Sequence, residues 1–218
     1  MLSLLIDTSN RPLSVALNRD GFTLAEINTT VKKTHSATVM DYIDKLFKMT
    51  ELKKKDVDRI IVAKGPGSYT GVRIGVTVAK TLAYALGTEL YSVSSLFVVA
   101  ASCSKEAIVA PLFDARRGNV FAAVYNMQSD SFTEEVTQAH MSLEDLQTRL
   151  SSYESSVILL DGQEKISANL EGFVHTVPRI SLVEQFETAL EEEDIHSLVP
   201  EYLRISEAER NWMQQNKS

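Results

Sequence analysis

With 218 residues, 44% of them hydrophobic, the chain can bury a core without disulfides, as one large domain or two small ones. Its one cysteine, Cys103, excludes an internal disulfide framework. With no secretory leader pattern and no apolar run near the ~20 residues of a membrane span, a soluble protein of the reducing cytoplasm is expected, without a membrane role. A net charge of -7 argues against gripping nucleic acid unaided, because phosphate contacts need clustered Lys and Arg. The runs VKKTH and ELKKKDVDR are short, the second is mixed with acids, and both read as solvated faces. Any contact with RNA is therefore expected only through a partner.

MLSLLIDTSNRPLSVALNRDGFTLAEINTT reads as an apolar strand, a polar turn, an alternating strand, an Asp-Gly turn and a third strand, which is a meander. HSATVMDYIDKLFKM carries apolar residues at 39, 40, 43, 46 and 47, the spacing of an amphipathic helix, with Ser36 or Thr34 as its cap. DRIIVAKG is a short buried strand. The loop GPGSYTGV follows, then a helix to Leu86 that Gly87 stops, then the strand ELYSVS. The order βββαβαβ suits an α/β domain with helices packed on a mixed sheet.

The second half opens as the first does. Setting LLIDTSNRPLSVAL above PLFDARRGNVFAAV places Asp7 over Asp114 and Ser14 over Phe121 without a gap. This pattern predicts two domains related by duplication. Coincidence between two common strand-turn-strand units is the alternative. Further on, SLEDLQTRL has Ser142 three residues before Asp145, a capping-box spacing, and SSVILLDGQ reads as a buried strand ending at Asp161 and Gly162. ISLVEQFETALEEED predicts an acidic amphipathic helix, and the polar tail has only Trp212 to anchor it.

The glycine loop poses the functional question. A phosphate loop offers backbone N–H groups at a helix N-terminus and usually a Lys, but here Val72 follows Gly71, and the spacing is not that of a dinucleotide fingerprint. The strand-to-helix context alone still suits an anion. Along the following helix, at about 100° per residue, Ile74, Val78, Leu82 and Ala85 form an apolar face suited to covering the sheet. Val72, Gly75, Val76, Ala79 and Ala83 form a separate strip of small residues, a seam for close approach of a second helix. That helix is either the neighbour at 36–48 or part of another molecule.

Catalytic constellations are sparse. No two of His35, His140, His175 and His196 stand at i, i+4, and no H-E-x-x-H occurs. Cys103 sits in an apolar stretch and reads as a small packing residue, Ser68 lies outside a G-x-S-x-G elbow, and His35 reads as a capping or packing group. Asp7 and Asp114, at the ends of corresponding strands, are where a carboxylate could hold Mg²⁺ and a nucleotide phosphate. Of the two turns, only DARRGN contains a glycine, Gly118, while Arg116 and Arg117 read equally as anion contacts or solvated groups.

LLIDTSNRPLSVAL, HSATVMDYIDKLF, KGPGSYTGVRIGVTVAKTLA, PLFDARRGNVFAAVY and PEYLR, in this order, resemble the bacterial TsaB family, also called YeaZ. The resemblance implies two α/β domains of the actin, Hsp70 and sugar-kinase (ASKHA) superfamily, mixed sheets flanked by helices, here 1–104 and a smaller 105–218 whose C-terminal helix and tail pack back on the first. It implies a non-catalytic role in transferring a threonylcarbamoyl group to the adenosine 3′ of the anticodon in tRNAs reading ANN codons. The partners it implies are a TsaD-type catalytic paralogue and a TsaE-type ATPase, with ATP and a metal used by them and none bound by this chain alone. The paralogue's metal-binding H-x-x-x-H aligns with Ser95 and Val99, neither an imidazole.

The family's pairing surface is built from the two helices flanking the glycine loop. The expected interface is therefore His35, Val39, Met40, Ile43, Phe47, Val72, Gly75, Val76, Ala79 and Ala83, which would also make a homodimer of the isolated chain. Asp7, Thr8 and Asp114 are the expected vestige of a nucleotide site. Two enzyme readings compete: an ATP-dependent phosphotransferase using Asp7 and Asp114, and a peptidase, against which the missing metal ligands and triad count.

Overall fold

The computed structural model describes residues 1–30, 35–103, 106–160 and 173–203, with the side chain of His35 left out. Thr34, Asp161, Gly162 and the Trp212 tail lie outside the described residues. The chain runs β1 (Leu2–Asp7), β2 (Leu13–Arg19), β3 (Phe22–Thr29), α1 (His35–Thr50), β4 (Arg59–Ala63), α2 (Tyr69–Leu86), β5 (Glu89–Val93) and α3 (Ser95–Ala101). It continues through β6 (Ala107–Arg116), β7 (Asn119–Met127), β8 (Phe132–Ser142), α4 (Leu143–Leu150), β9 (Val157–Leu160) and β10 (Phe173–His175) to β11 (Glu191–Glu192).

Two mixed sheets result. The first has the order β11-β5-β4-β1-β2-β3 and the second β10-β9-β6-β7-β8. Each is an antiparallel meander with two parallel strands added beside its first strand. The order 5-4-1-2-3 thus recurs as 10-9-6-7-8, so the repeated strand-turn-strand is part of a repeated sheet.

Alternating side chains divide the core into layers. Leu4, Ile6, Val15, Leu17, Ile60 and Val62 face α1 and α2, whereas Leu5, Ala16 and Ile61 face inward with α3. Every residue of α3 is buried, because it lies in the core shared with Val109, Phe113, Ala123 and Tyr125 of the second sheet. Phe97 meets Phe132, Tyr125 and Phe186 at ring separations of 4.4, 5.3 and 5.5 Å. Ala110, Leu112, Val120 and Val124 face the other way, with Leu146 and Leu150 of α4.

The helix ends follow local chemistry. Ser68 caps α2 by accepting from the Gly71 N–H at 3.3 Å, and Gly87, at φ 67°, closes it in the left-handed region. Ser142 caps α4, accepting from Asp145 N at 3.0 Å. Ser36 is not a cap, because α1 already begins at His35.

The acidic helix expected over 180–194 does not form. The segment makes 3-10 turns at Ile180–Gln185 and Glu187–Ala189 and then β11. A three-residue repeat turns Ile180, Val183 and Phe186 inward together, which suits a 3-10 turn. No described helix is long and apolar enough to cross a membrane.

Candidate functional site

The glycine loop is docked on its own chain. Ser68 N donates to Ser9 O at 2.6 Å, and Thr8 Oγ1 donates to Gly71 O at 2.8 Å. A Cβ on Gly67 would overlap the Ser9 carbonyl, and one on Gly71 the Thr8 carbonyl. These glycines let the start of α2 lie against the β1–β2 turn. Gly65, at φ 118°, is covered by the backbone of Glu201, whose N–H bonds Lys64 O at 2.7 Å.

The same closeness decides which side of α2 is inside. A Cβ on Gly75 would lie 2.6 Å from Thr8 Oγ1, so only small side chains let α2 approach the sheet. The expected interface residues Val72, Gly75, Val76, Ala79 and Ala83 are therefore buried in the chain's own core, as are Val39, Ile43 and Phe47 of α1. This corrects the sequence reading, which had α2 inside out: these side chains cannot themselves touch a partner. Of that set Met40 is exposed, and His35 opens α1 with its side chain outside the described part. Ile74, Val78 and Leu82, expected to cover the sheet, are half-buried, and Thr77, Thr81, Tyr84 and Ala85 face outward.

A strap formed by residues 193–203, which takes in most of the PEYLR segment, runs along the other flank of α2. Lys80 Nζ donates to the carbonyls of His196 and Leu198 at 3.1 and 2.7 Å, and Tyr84 meets the His196 ring edge-on at 6.2 Å. Arg73 Nε donates to the Tyr202 hydroxyl at 2.7 Å, and Tyr202 stacks on Tyr69 with 5.0 Å between ring centres. Lys64 pairs with Glu191 and Glu193. Burial pulls the Lys64 ammonium down, but the hydrogen bonds to both carboxylates outweigh it and hold its pKa above the usual lysine value.

Gln138 of β8 ties the strap to the second sheet, donating to Glu201 at 2.8 Å and accepting from Ser94 Oγ at 2.6 Å. Burial raises the Glu201 carboxyl above the ordinary glutamate range. Deeper in, Arg59 donates to the buried Glu184 at 2.7 Å and to Glu187 at 2.9 Å, anchoring the 3-10 turns to β4.

Asp7 is buried and accepts from Ser9 N at 2.8 Å, while Thr8 is fully buried with its hydroxyl on the glycine loop. Asp114, on β6, accepts from Arg116 N at 2.6 Å in a turn where Arg116 and Arg117 are exposed. Ser95 and Val99 are both buried in α3, and Ser95 Oγ accepts from Gly65 N at 3.0 Å. Among the described residues no group of three or more His, Cys, Asp or Glu side chains is placed to hold a metal ion.

Two sheets of one repeated strand order, sharing a core on a buried helix, define an α/β protein of the ASKHA type. A family model described as TsaD, tRNA N6-adenosine threonylcarbamoyltransferase, matches residues 24–167, more than half of the chain. The tRNA threonylcarbamoyladenosine biosynthesis protein TsaB of Bacillus subtilis is 37% identical over 229 residues, covering 100% of both chains. The protein of the same name in Escherichia coli is 30% identical over 128 residues, 57% of this chain and 55% of that one. The solved structure of YeaZ from Pseudomonas aeruginosa superimposes with a TM-score of 0.79 at 23% identity, covering 93% of this chain and 99% of that one. The chain belongs to the TsaB (YeaZ) family.

Proposed function

We propose that the chain serves tRNA threonylcarbamoyladenosine synthesis as a docking subunit. It binds a TsaD-type catalytic paralogue through the outward faces of α1 and α2 and activates it, within a complex that also includes a TsaE-type ATPase. The observation that carries the reading is the full-length similarity to a relative named for that pathway. The half-buried row Ile74, Val78 and Leu82, flanked by exposed Thr81 and Ala85 on α2 and by Met40 on α1, supports α1 and α2 as the docking face. The isolated chain is expected to pair with itself through the same face.

The chain itself supplies no catalytic group in this reading. ATP and a metal belong to its partners, and tRNA is met only in the complex. Support comes from the donors a phosphate would need, because the Thr8 hydroxyl is spent on Gly71 O and the Ser68 N–H on Ser9 O. Reconstitution tests both halves. Threonylcarbamoylation of tRNA by the catalytic partner and the ATPase should require this chain, and calorimetry of the isolated chain should show no micromolar ATP binding. Full activity without the chain would refute the first half, and tight ATP binding the second.

A further inference from the structure

Outside the buried and half-buried rows of α2 stands a cluster that packing does not require. Tyr69 and Tyr202 stack at 5.0 Å with 26° between their planes, yet both rings are exposed, by 49% and 38%. The Arg73 guanidinium carbon lies 3.9 Å from the Tyr69 ring centre and 5.7 Å from that of Tyr202, with Nε held by the Tyr202 hydroxyl. Two rings and a hydrogen bond thus fix an exposed arginine whose rotamers would otherwise be free.

A fixed guanidinium invites an anion, and none of the described residues supplies one. No carboxylate of the described residues pairs with Arg73, and α2 contains no Asp or Glu along its whole length. The other cation of α2, Lys80, is spent on two strap carbonyls. Solvent-exposed Tyr and Arg beside an apolar row is the composition that carries most binding energy at protein interfaces.

We propose that Tyr69, Arg73 and Tyr202 form the anchor of the docking face and that Arg73 receives a side-chain carboxylate of the partner protein. This rests on the docking reading above. The geometry suits a planar, bidentate acceptor, because with Nε held on Tyr202 the two terminal nitrogens, Nη1 and Nη2, can still form an end-on fork. An RNA phosphate is disfavoured by the surroundings. Ile74 and Val78 lie on the same helix beside the cluster, Glu201 directly precedes Tyr202 on the strap, and the chain has a net charge of -7. A polyanion would meet that field, whereas a single carboxylate on an apolar protein face would not.

The test is a titration of the full chain against the catalytic protein of the same organism, at low and at moderately high salt. The chains compared are wild type, Arg73→Ala, Arg73→Lys, Tyr202→Phe and Thr81→Glu, each checked for wild-type circular dichroism. Arg73→Ala should bind ~30-fold more weakly at low salt, with the gap narrowing as salt rises. Arg73→Lys, which keeps the charge without the planar fork, should fall between. Tyr202→Phe should lose less than Arg73→Ala.

If Arg73→Ala binds as wild type does while Thr81→Glu fails to bind, the anchor is wrong and the docking face stands. A loss that is equal at both salts removes the carboxylate. Failure of wild type itself to bind removes both the docking reading and the anchor. An intact protein pair whose tRNA binding falls on Arg73→Ala would reassign the arginine to a phosphate and overturn the proposal.

Discussion

Gly75→Ala is the sharpest test of how α2 is seated. In an ordinary helix interior this change stabilises by about 1 kcal/mol, because glycine has the higher chain entropy. Here the added methyl would sit 2.6 Å from Thr8 Oγ1, inside contact distance, while Val62 Cγ2 and Thr8 Cβ stand at a comfortable 3.6 and 3.8 Å. The hydroxyl must swing away, which breaks its 2.8 Å bond to Gly71 O and strands a fully buried hydroxyl. Losing that bond with its group left dry costs about 1–3 kcal/mol, and the residual crowding costs about 1–3 kcal/mol.

Against the helix gain, the net expectation is a destabilisation of about 1–5 kcal/mol, centred near 3. Urea unfolding should show a lower midpoint at an unchanged slope. Thr8→Ala should relieve the clash, so the double variant should be more stable than the sum of the two singles predicts. A Gly75→Ala protein more stable than wild type, or singles that simply add, would refute the account of why α2 is glycine-rich.

Three further outcomes follow from the packing. Phe97→Ala opens a cavity in the core shared by both sheets and should cost about 3–5 kcal/mol in thermal or urea unfolding. Arg59→Met leaves Glu184 as a buried charge without its partner and should cost about 3–5 kcal/mol, whereas adding Glu184→Met should recover part of that loss. Glu201 has a raised carboxyl pKa, so the folded state holds its proton more tightly than the unfolded one, and this group's contribution is present at low pH and lost as pH rises through the raised value. Glu201→Gln keeps an acceptor for Gln138 without the charge, so it should raise the unfolding midpoint at pH ~7, with the gain shrinking toward the ordinary glutamate pKa of about 4.3.

Much of the architecture was legible in the sequence. The meander, the short buried strand before the glycines, the stop at Gly87 and the cap at Ser142 rest on local chemistry, and the structure contains each of them. The repeat was also readable, because Asp7 ends β1 and Asp114 lies near the end of β6, strands that hold the same place in their sheets. The orientation of α2 was not. Both candidate faces are apolar, and helical periodicity cannot tell which is inside; the deciding contact is with Thr8, whose hydroxyl bonds Gly71 across 63 residues of chain.

The segment after Ile180 misled for a related reason. Over six residues, repeats of 3.0 and 3.6 diverge by about 120°, no more than the width of an apolar helix stripe, and the partner that lets Glu184 be buried, Arg59, lies 125 residues away. The course of the strap along α2 had no local signal, since Tyr202 and Arg73 meet across 129 residues.

The central claim is that this chain works by docking on a catalytic partner through the outer faces of α1 and α2. It is tested most directly by co-elution of the chain with the TsaD-type protein of the same organism on a sizing column, using wild type, Thr81→Glu and Ala79→Glu. Thr81 is exposed, so its variant should fold normally and lose the partner. Ala79 is fully buried, so its variant should fail to fold at all. Wild type should elute as a complex. Separate elution of wild type, or a stable complex with Thr81→Glu, would contradict the account.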